Sequence, residues 1–147
     1  SYNSKAIIMK KRMPVSAIMT KDLITINHSD ELTTAESLFK KHSIRHIPVV
    51  SGTEIIGMLS YTDLLRISYA DAVYEDETDV DSMVYNMFTI EQVMAKKLVQ
   101  VNSQTTIKEV AEILSVNGFH ALPVVDDNEL VGIVTTTDLI NYLLEQY

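Results

Sequence analysis

A shift of 75 residues lays this chain onto itself. Met19 falls on Met94, Leu23 on Leu98 and Asn27 on Asn102. Pro48-Val49-Val50 falls on Pro123-Val124-Val125, Gly57 on Gly132, and Thr62-Asp63-Leu64 on Thr137-Asp138-Leu139. No gap is needed from Val15 to Ser68, and 12 of those 54 positions are identical. Most of the other apolar positions exchange one apolar residue for another. A period this long is one small supersecondary unit made twice, not a solenoid of short repeats. Two tandem copies imply a pseudo-symmetric pair with any shared site lying between them.

The 147 residues suffice for one ordinary domain, or for two half-size units sharing a core. With 46% hydrophobic and 22% charged residues, a packed fold is expected. There is no cysteine, which removes disulfides, thiolate metal sites and cysteine catalysis, and fits a reducing compartment. No run approaches a membrane span, and Ala6-Ile7-Ile8-Met9 is too short for a signal-peptide core, so no membrane association and a cytoplasmic location are expected. Met9 reads as a natural start, which makes residues 1–8 either a cloning remnant or a disordered lead. The net charge of −8 is uneven: Lys5, Lys10, Lys11, Arg12 and Lys21 precede every acid, while Asp71, Glu75, Asp76, Glu77, Asp79 and Asp81 form a run without a base. An acidic chain with only a short basic head argues against nucleic acid as a partner.

Each repeat predicts the same elements. Ser16–Met19, matched by Glu91–Met94, reads as a short helical turn, followed by a strand at Leu23–Ile26, matched by Leu98–Val101. A longer helix follows. In the second copy Thr106-x-x-Glu109 is a capping-box pattern, Ile107, Val110, Ala111 and Leu114 share one face, and Gly118 supplies the stop. In the first copy Asp30 reads as the cap, and Leu32, Ala35, Leu38 and Phe39 as the buried stripe. Two strands come next, Ile47–Val50 and Ile55–Ser60, joined through Ser51-Gly52-Thr53-Glu54; the second copy turns through Asp126-Asp127-Asn128-Glu129. A closing helix begins at Tyr61-Thr62-Asp63 and at Thr136-Thr137-Asp138. The order is β-α-β-β-α, twice. Unalternating strands imply burial on both faces, and units of this size imply copies that pack sheet to sheet and fold together. The expected organisation is an N-terminal lead (1–14), unit 1 (15–68), an acidic linker (69–89) that becomes helical near Met83–Phe88, and unit 2 (90–147).

The recurring h-P-V-V, followed about ten residues later by G-h-h-S/T-x-T-D, resembles the cystathionine-β-synthase (CBS) domain. Two copies resemble the tandem pair called a Bateman module, over residues 15–147. The resemblance implies an α/β fold, two gapless repeats packed as a pseudo-two-fold pair. It also implies a non-catalytic regulatory module holding AMP, ADP, ATP or S-adenosylmethionine in clefts between the units and transmitting a conformational change. Physical reasoning supports the same positions. A carboxylate at Asp63 or Asp138, where a strand enters a helix, can accept both hydrogen bonds of a ribose cis-diol. Ser60, Thr62, Thr135 and Thr137 lie beside a helix N-terminus that favours anions. The plainer alternative is that these acids are helix N-terminal charges and Thr62 and Thr137 are caps.

By the same resemblance, Ile44-Arg45-His46-Ile47 and Phe119-His120-Ala121-Leu122 offer backbone groups to an adenine edge. Arg45, His46 and His120 face phosphate, and each following proline keeps its segment extended. Surface or half-buried histidine at a strand edge is the plainer reading of His46 and His120. One cleft then contains Thr20, Thr25, Ile44, Arg45, His46, Pro48, Thr135, Thr137 and Asp138, with His120 reaching in. The second contains Ala95, Gln100, Phe119, His120, Ala121, Ser60, Thr62 and Asp63, with Arg45 nearby. Thr20 becomes Ala95 and Ile44 becomes the bulkier Phe119, which either stacks on a base or plugs the pocket, so the first cleft is favoured. Bases near either cleft are few, which disfavours a tightly held triphosphate without Mg2+.

No catalytic motif and no metal site is expected: P-loop, dinucleotide glycines and G-x-S-x-G are absent from the sequence, His28 and His42 read as solvated, and the four histidines lack ligand spacing. The acidic run reads as a solvated connector, and Met19, Met58 and Met94 as core filler. No cofactor is required. The leading expectation is a ligand sensor acting on an unidentified target protein or on its own homodimer; the rival is a structural dimerisation module with empty clefts. Ile140, Leu143 and Leu144 are either a dimer surface or intrachain core.

Overall fold

The computed structural model describes residues 12–72 and 85–147; the first eleven residues and most of the acidic connector lie outside the described residues, as does the start of the helix expected near Met83–Phe88. Contacts divide the chain into two compact units, Ile24–Leu98 and Ser1–Leu23 with Val99–Tyr147. Since 98 − 23 = 75, both boundaries fall at the same place in the repeat. Each unit therefore joins the body of one repeat to the lead of the other.

The Ile24–Leu98 unit contains β1 (Ile26–Asn27), α1 (Leu32–His42), β2 (His46–Ser51), β3 (Glu54–Ser60), α2 (Tyr61–Ala72) and α3 (Ile90–Val93). β1 runs parallel to β2, with Ile26 opposite Val49, and α1 provides the crossover that a parallel pair needs. β2 and β3 form an antiparallel hairpin with an irregularity at Val49/Val50. Its two-residue turn uses Gly52 at φ 64°, a conformation glycine adopts at no steric cost. β1 is shorter than the expected Leu23–Ile26 strand and sits later in the chain. Asn27 stops it: its Oδ1 accepts from the Ser29 backbone N–H at 3.0 Å and turns the chain.

Asp30 is not the cap of α1. The N-cap is Glu31, which makes no side-chain cap bond, while Asp30 Oδ2 accepts from the Asn27 backbone N–H at 3.0 Å and closes the preceding turn. Leu32, Ala35 and Phe39 are buried as expected, with Leu38 half-buried against them. They pack with Ile47, Leu59 and Leu64, and with Tyr85, Ile90 and Met94 from the lead of the second repeat.

The other unit contains a 3-10 turn (Val15–Ala17), α4 (Ile107–Asn117), β4 (Ala121–Asp126), β5 (Glu129–Thr135) and α5 (Thr136–Glu145). The β4–β5 register repeats that of β2–β3, including the irregularity, here at Val124/Val125. Asp127 and Asn128 both have positive φ, as a type I′ hairpin turn demands. Thr106 and Glu109 close the expected capping box, and Gly118 ends α4 at φ 68°. The expected Leu98–Val101 strand is reduced to one parallel bridge between Val101 and Val124, and Asn102 turns the chain as Asn27 does. The lead of the first repeat docks by backbone bonds: Val15 N–H donates to the Thr105 carbonyl at 2.7 Å and Ile107 N–H to the Met13 carbonyl at 2.9 Å. Val15 is fully buried among Val110, Leu122, Val124 and Val134.

β2, β3, β4 and β5 each carry a run of three buried residues. That is the burial expected of strands covered on both faces. Among the described residues no helix is long and apolar enough to cross a membrane.

Candidate functional site

The two aspartates sit at the third helical position after a strand. In α5 the Asp138 backbone N–H donates to Thr135 Oγ1 at 3.1 Å, and the Thr135 N–H donates to Asp138 Oδ2 at 2.9 Å. In α2 the Asp63 N–H donates to Ser60 Oγ at 3.1 Å, and the Ser60 N–H donates to Asp63 Oδ2 at 3.3 Å. Both are capping boxes with aspartate in the acid position, so two free helix N–H groups are satisfied reciprocally. The caps are thus Ser60 and Thr135. Thr62 and Thr137, which the plainer sequence reading made caps, are exposed at the second helical position instead.

One carboxylate oxygen of each acid is committed to the cap, and the other meets a different neighbour in each unit. Asp138 Oδ1 accepts from the Thr20 hydroxyl at 3.3 Å, with Oδ2 at 3.4 Å. Asp63 Oδ1 faces Arg66 Nη1 at 3.4 Å. Thr20 is brought there by the docked lead: its N–H donates to the Ile133 carbonyl at 2.8 Å and its carbonyl accepts from Ile133 N–H at 3.0 Å. Ala95 makes the matching pair with Met58, at 2.8 and 3.0 Å, but has no hydroxyl to offer Asp63.

Glycine makes these lead-to-strand contacts close. Met19 lies over Gly132, where an added Cβ would sit 2.6 Å from its Sδ, and Met94 lies over Gly57 in the same way. Met58 and Met94 are buried, as core filler should be.

The segments before the prolines stand beside the same helix starts. The Arg45 carbonyl accepts from the Tyr61 N–H at 2.9 Å, and the His120 carbonyl accepts from the Thr136 N–H at 3.0 Å. Each of those two carbonyls thus accepts one bond within its own unit and keeps a second lone pair.

In the Ile24–Leu98 unit the structure places Ile44 against the core, Pro48 buried in β2 opposite Met58, His46 and Ser60 half-buried, and Thr25, Arg45, Thr62 and Ala95 exposed. In the other unit Phe119 packs against the core, Ala121 and Thr135 are half-buried, and Thr20, Gln100, His120 and Thr137 are exposed. Phe119 is thereby anchored by its own unit's apolar cluster.

His28 is not simply solvated, since its Nδ1 lies 3.0 Å from Glu91 Oε1. Sequence spacing gave no hint of that pair. The Asp63–Arg66 contact, also missed, had a signal: the acid and the base are three apart on one helix. Ile140, Leu143 and Leu144 are exposed and do not form intrachain core.

A groove of about 560 Å³ in the Val99–Tyr147 unit is lined by Gln100, Asn102, Thr105, Glu109, Glu112 and Ile113 among others. Gln100 is its only expected site residue, and its two glutamates oppose a phosphate. On the nearby hairpin Asp126 is held below the ordinary carboxylate value by hydrogen bonds from Ser103, whose N–H donates to Oδ1 at 3.0 Å. Among the described residues no cluster of three or more histidine or acid side chains is arranged to hold a metal ion.

Residues 15–70 and 90–145 each match the family model described as the CBS domain. The CBS domain-containing protein YhcV of Bacillus subtilis is 30% identical over 125 residues, covering 85% of this chain and 81% of that protein. MJ1225 of Methanocaldococcus jannaschii is 26% identical over 84% of this chain, which spans only 45% of that longer protein.

Among solved structures, the CBS domain of a CBS domain-containing membrane protein from Sphaerobacter thermophilus superposes with a TM-score of 0.79 at 26% identity, covering 95% of this chain and 94% of that one. CBSX2, solved in complex with AMP, gives 0.74 at 22% identity over 91% and 98% of the two chains. The CBS domain pair of MJ0100, solved with 5′-methylthioadenosine and S-adenosyl-L-methionine, gives 0.75 at 24% over 92% and 98%. With both repeats matched and the fold shared, the chain belongs to the CBS domain family, as a tandem pair.

Proposed function

We propose that this chain is a non-catalytic regulatory module that binds an adenosine-containing ligand and, through differential affinity, biases its own conformational equilibrium. One observation carries the reading. Asp63 and Asp138 each stand at a helix start with one oxygen in the cap bond and the other in a long contact, 3.4 Å to Arg66 and 3.3 Å to Thr20 respectively. A ribose cis-diol offers two hydroxyl donors to such an acid. Beside Asp138, the proposed ligand residues of its own unit are Thr20, His120, Thr135 and Thr137, and Thr25, Ile44, Arg45, His46 and Pro48 are proposed ligand residues of the Ile24–Leu98 unit. Beside Asp63, those of its own unit are Ala95, Ser60 and Thr62, and Gln100, Phe119 and Ala121 are further proposed ligand residues of the Val99–Tyr147 unit. CBSX2 with AMP and MJ0100 with S-adenosyl-L-methionine and 5′-methylthioadenosine support the ligand class. The absence of cysteine fits a reducing compartment, and the cytoplasm is the proposed location.

Titration calorimetry with AMP, ADP, S-adenosylmethionine, and ATP with and without Mg2+ tests the reading. Because Asp138 also caps α5, the informative substitution is Asp138→Asn, which keeps an oxygen acceptor for the Thr135 N–H and removes the charge. It should weaken binding by about 1–3 kcal/mol, the scale of a charge-assisted hydrogen bond. No heat from any of these ligands at millimolar concentration would overturn the proposal. Unchanged affinity in both Asp138→Asn and Asp63→Asn would remove the acids from the site.

A second reading is favoured by the exposed Ile140, Leu143 and Leu144 of α5: self-association with a second copy of the chain. Light scattering with and without AMP separates the two, since a ligand-independent dimer that binds nothing supports the structural role.

A further inference from the structure

The two acid-capped helix starts share a backbone and differ in charge. At Asp138 the lead offers the Thr20 hydroxyl, and one turn along α5 stands Asn141. At Asp63 the lead offers only Ala95, and the residue one turn along α2 is Arg66, whose guanidinium lies 3.4 Å from Oδ1. The repeat makes the comparison direct, since 20 + 75 = 95 and 66 + 75 = 141.

Arg66 does not hold Asp63 tightly. Its side chain is 76% exposed, the contact is long, and exposed ion pairs contribute little. The guanidinium can therefore leave the acid at small cost. When a diol takes Asp63 Oδ1, the displaced fork of N–H donors is left beside the bound sugar, matched to a phosphate in shape and charge. The N-terminus of α2 adds to the attraction for an anion.

We propose that Arg66 strengthens the preference of the Asp63 end for phosphate-bearing adenosine ligands over the neutral nucleoside, a contribution that Asn141 cannot make at the Asp138 end. This rests on the ligand class proposed above. The test uses the full chain with AMP and adenosine as probes, and follows each end separately through the backbone amide resonances of Ser60 and Asp63, and of Thr135 and Asp138. Arg66→Ala should weaken AMP about three- to tenfold at the Asp63 end, a modest exposed charge contact, and leave adenosine within about twofold. Arg66→Lys should restore part of the loss, and Asn141→Arg should raise the AMP-over-adenosine ratio at the Asp138 end. Added salt should narrow the wild-type ratio at the Asp63 end.

Equal losses of both ligands in Arg66→Ala, or equal wild-type affinities at the Asp63 end, would overturn this inference while the ligand class stands. Failure of both ligands to bind the wild-type chain would take the ligand class and the inference down together.

Discussion

Replacing Gly57 by alanine tests whether the leads dock by steric fit. An ideal Cβ there would lie 2.8 Å from Met94 Cγ and 3.1 Å from the Ala95 carbonyl oxygen. Comfortable carbon contacts fall at about 3.5–4.0 Å. Cγ is near the root of the methionine, and the Ala95 carbonyl is bonded to the Met58 N–H, so neither moves alone. Overpacking of this kind costs about 1–3 kcal/mol, and the entropy lost from the unfolded chain returns about 0.4–1 kcal/mol. The expected net loss is about 1–2 kcal/mol.

Gly132→Ala is the internal control. There the close atoms are Met19 Sδ at 2.6 Å, Cγ at 3.1 Å and Cε at 3.2 Å, all in one half-buried flexible side chain, and no backbone atom is among them. Its net effect should be within about 1 kcal/mol of zero. Urea denaturation of the two variants reads the difference as a shift in midpoint. In Gly57→Ala/Met94→Ala, removing the methionine beyond Cβ should give a coupling energy of about 1 kcal/mol or more. A Gly57→Ala protein as stable as wild type, or a Gly132→Ala protein less stable than the Gly57→Ala protein, would refute the reasoning.

Two further outcomes are expected. Val15→Ala empties a fully buried position and should cost about 2 kcal/mol, with hydrogen exchange accelerated at Val124 and Val134; acceleration confined to residues 24–72 would contradict the docking of the lead. Asp126 titrates below its ordinary value in the folded chain because Ser103 hydrogen-bonds its carboxylate, so its contribution to stability is present above the unfolded pKa and is lost as pH falls through the folded value. A carboxyl-carbon NMR titration checks this, and a midpoint at or above 3.8 counts against it.

Legibility followed the range of the interaction. The Thr106/Glu109 box, the Gly118 stop and the Asp127-Asn128 turn were readable because donor and acceptor, or strained residue and turn, lie within a few positions. Asp30 misled because the position equivalent to Thr106 is Glu31, which caps with no side-chain bond, and an acid one residue early looked the part. The short edge strands were overestimated at Leu23–Ile26 and Leu98–Val101 because apolar residues there serve packing and bridges, not a ladder. Of the candidate site, Asp63, Asp138, Ser60, Thr135 and Thr20 were all picked from sequence, and the structure shows how each acid is held. Arg66 went unnoticed although its spacing from Asp63 was in plain view.

The amino-acid order alone determined the duplication, the start of α4 and both hairpins, since each arises from residues near one another in the chain. Only the tertiary structure decided that each lead leaves its own repeat to complete the other, which sets a hydroxyl against Asp138 and none against Asp63. The reason is physical. The leads bond to their partner strands through backbone N–H and carbonyl groups, which nearly every residue possesses, and bury ordinary apolar residues such as Val15 and Ile90, so the exchange left little distinctive side-chain code beyond a methionine facing a glycine.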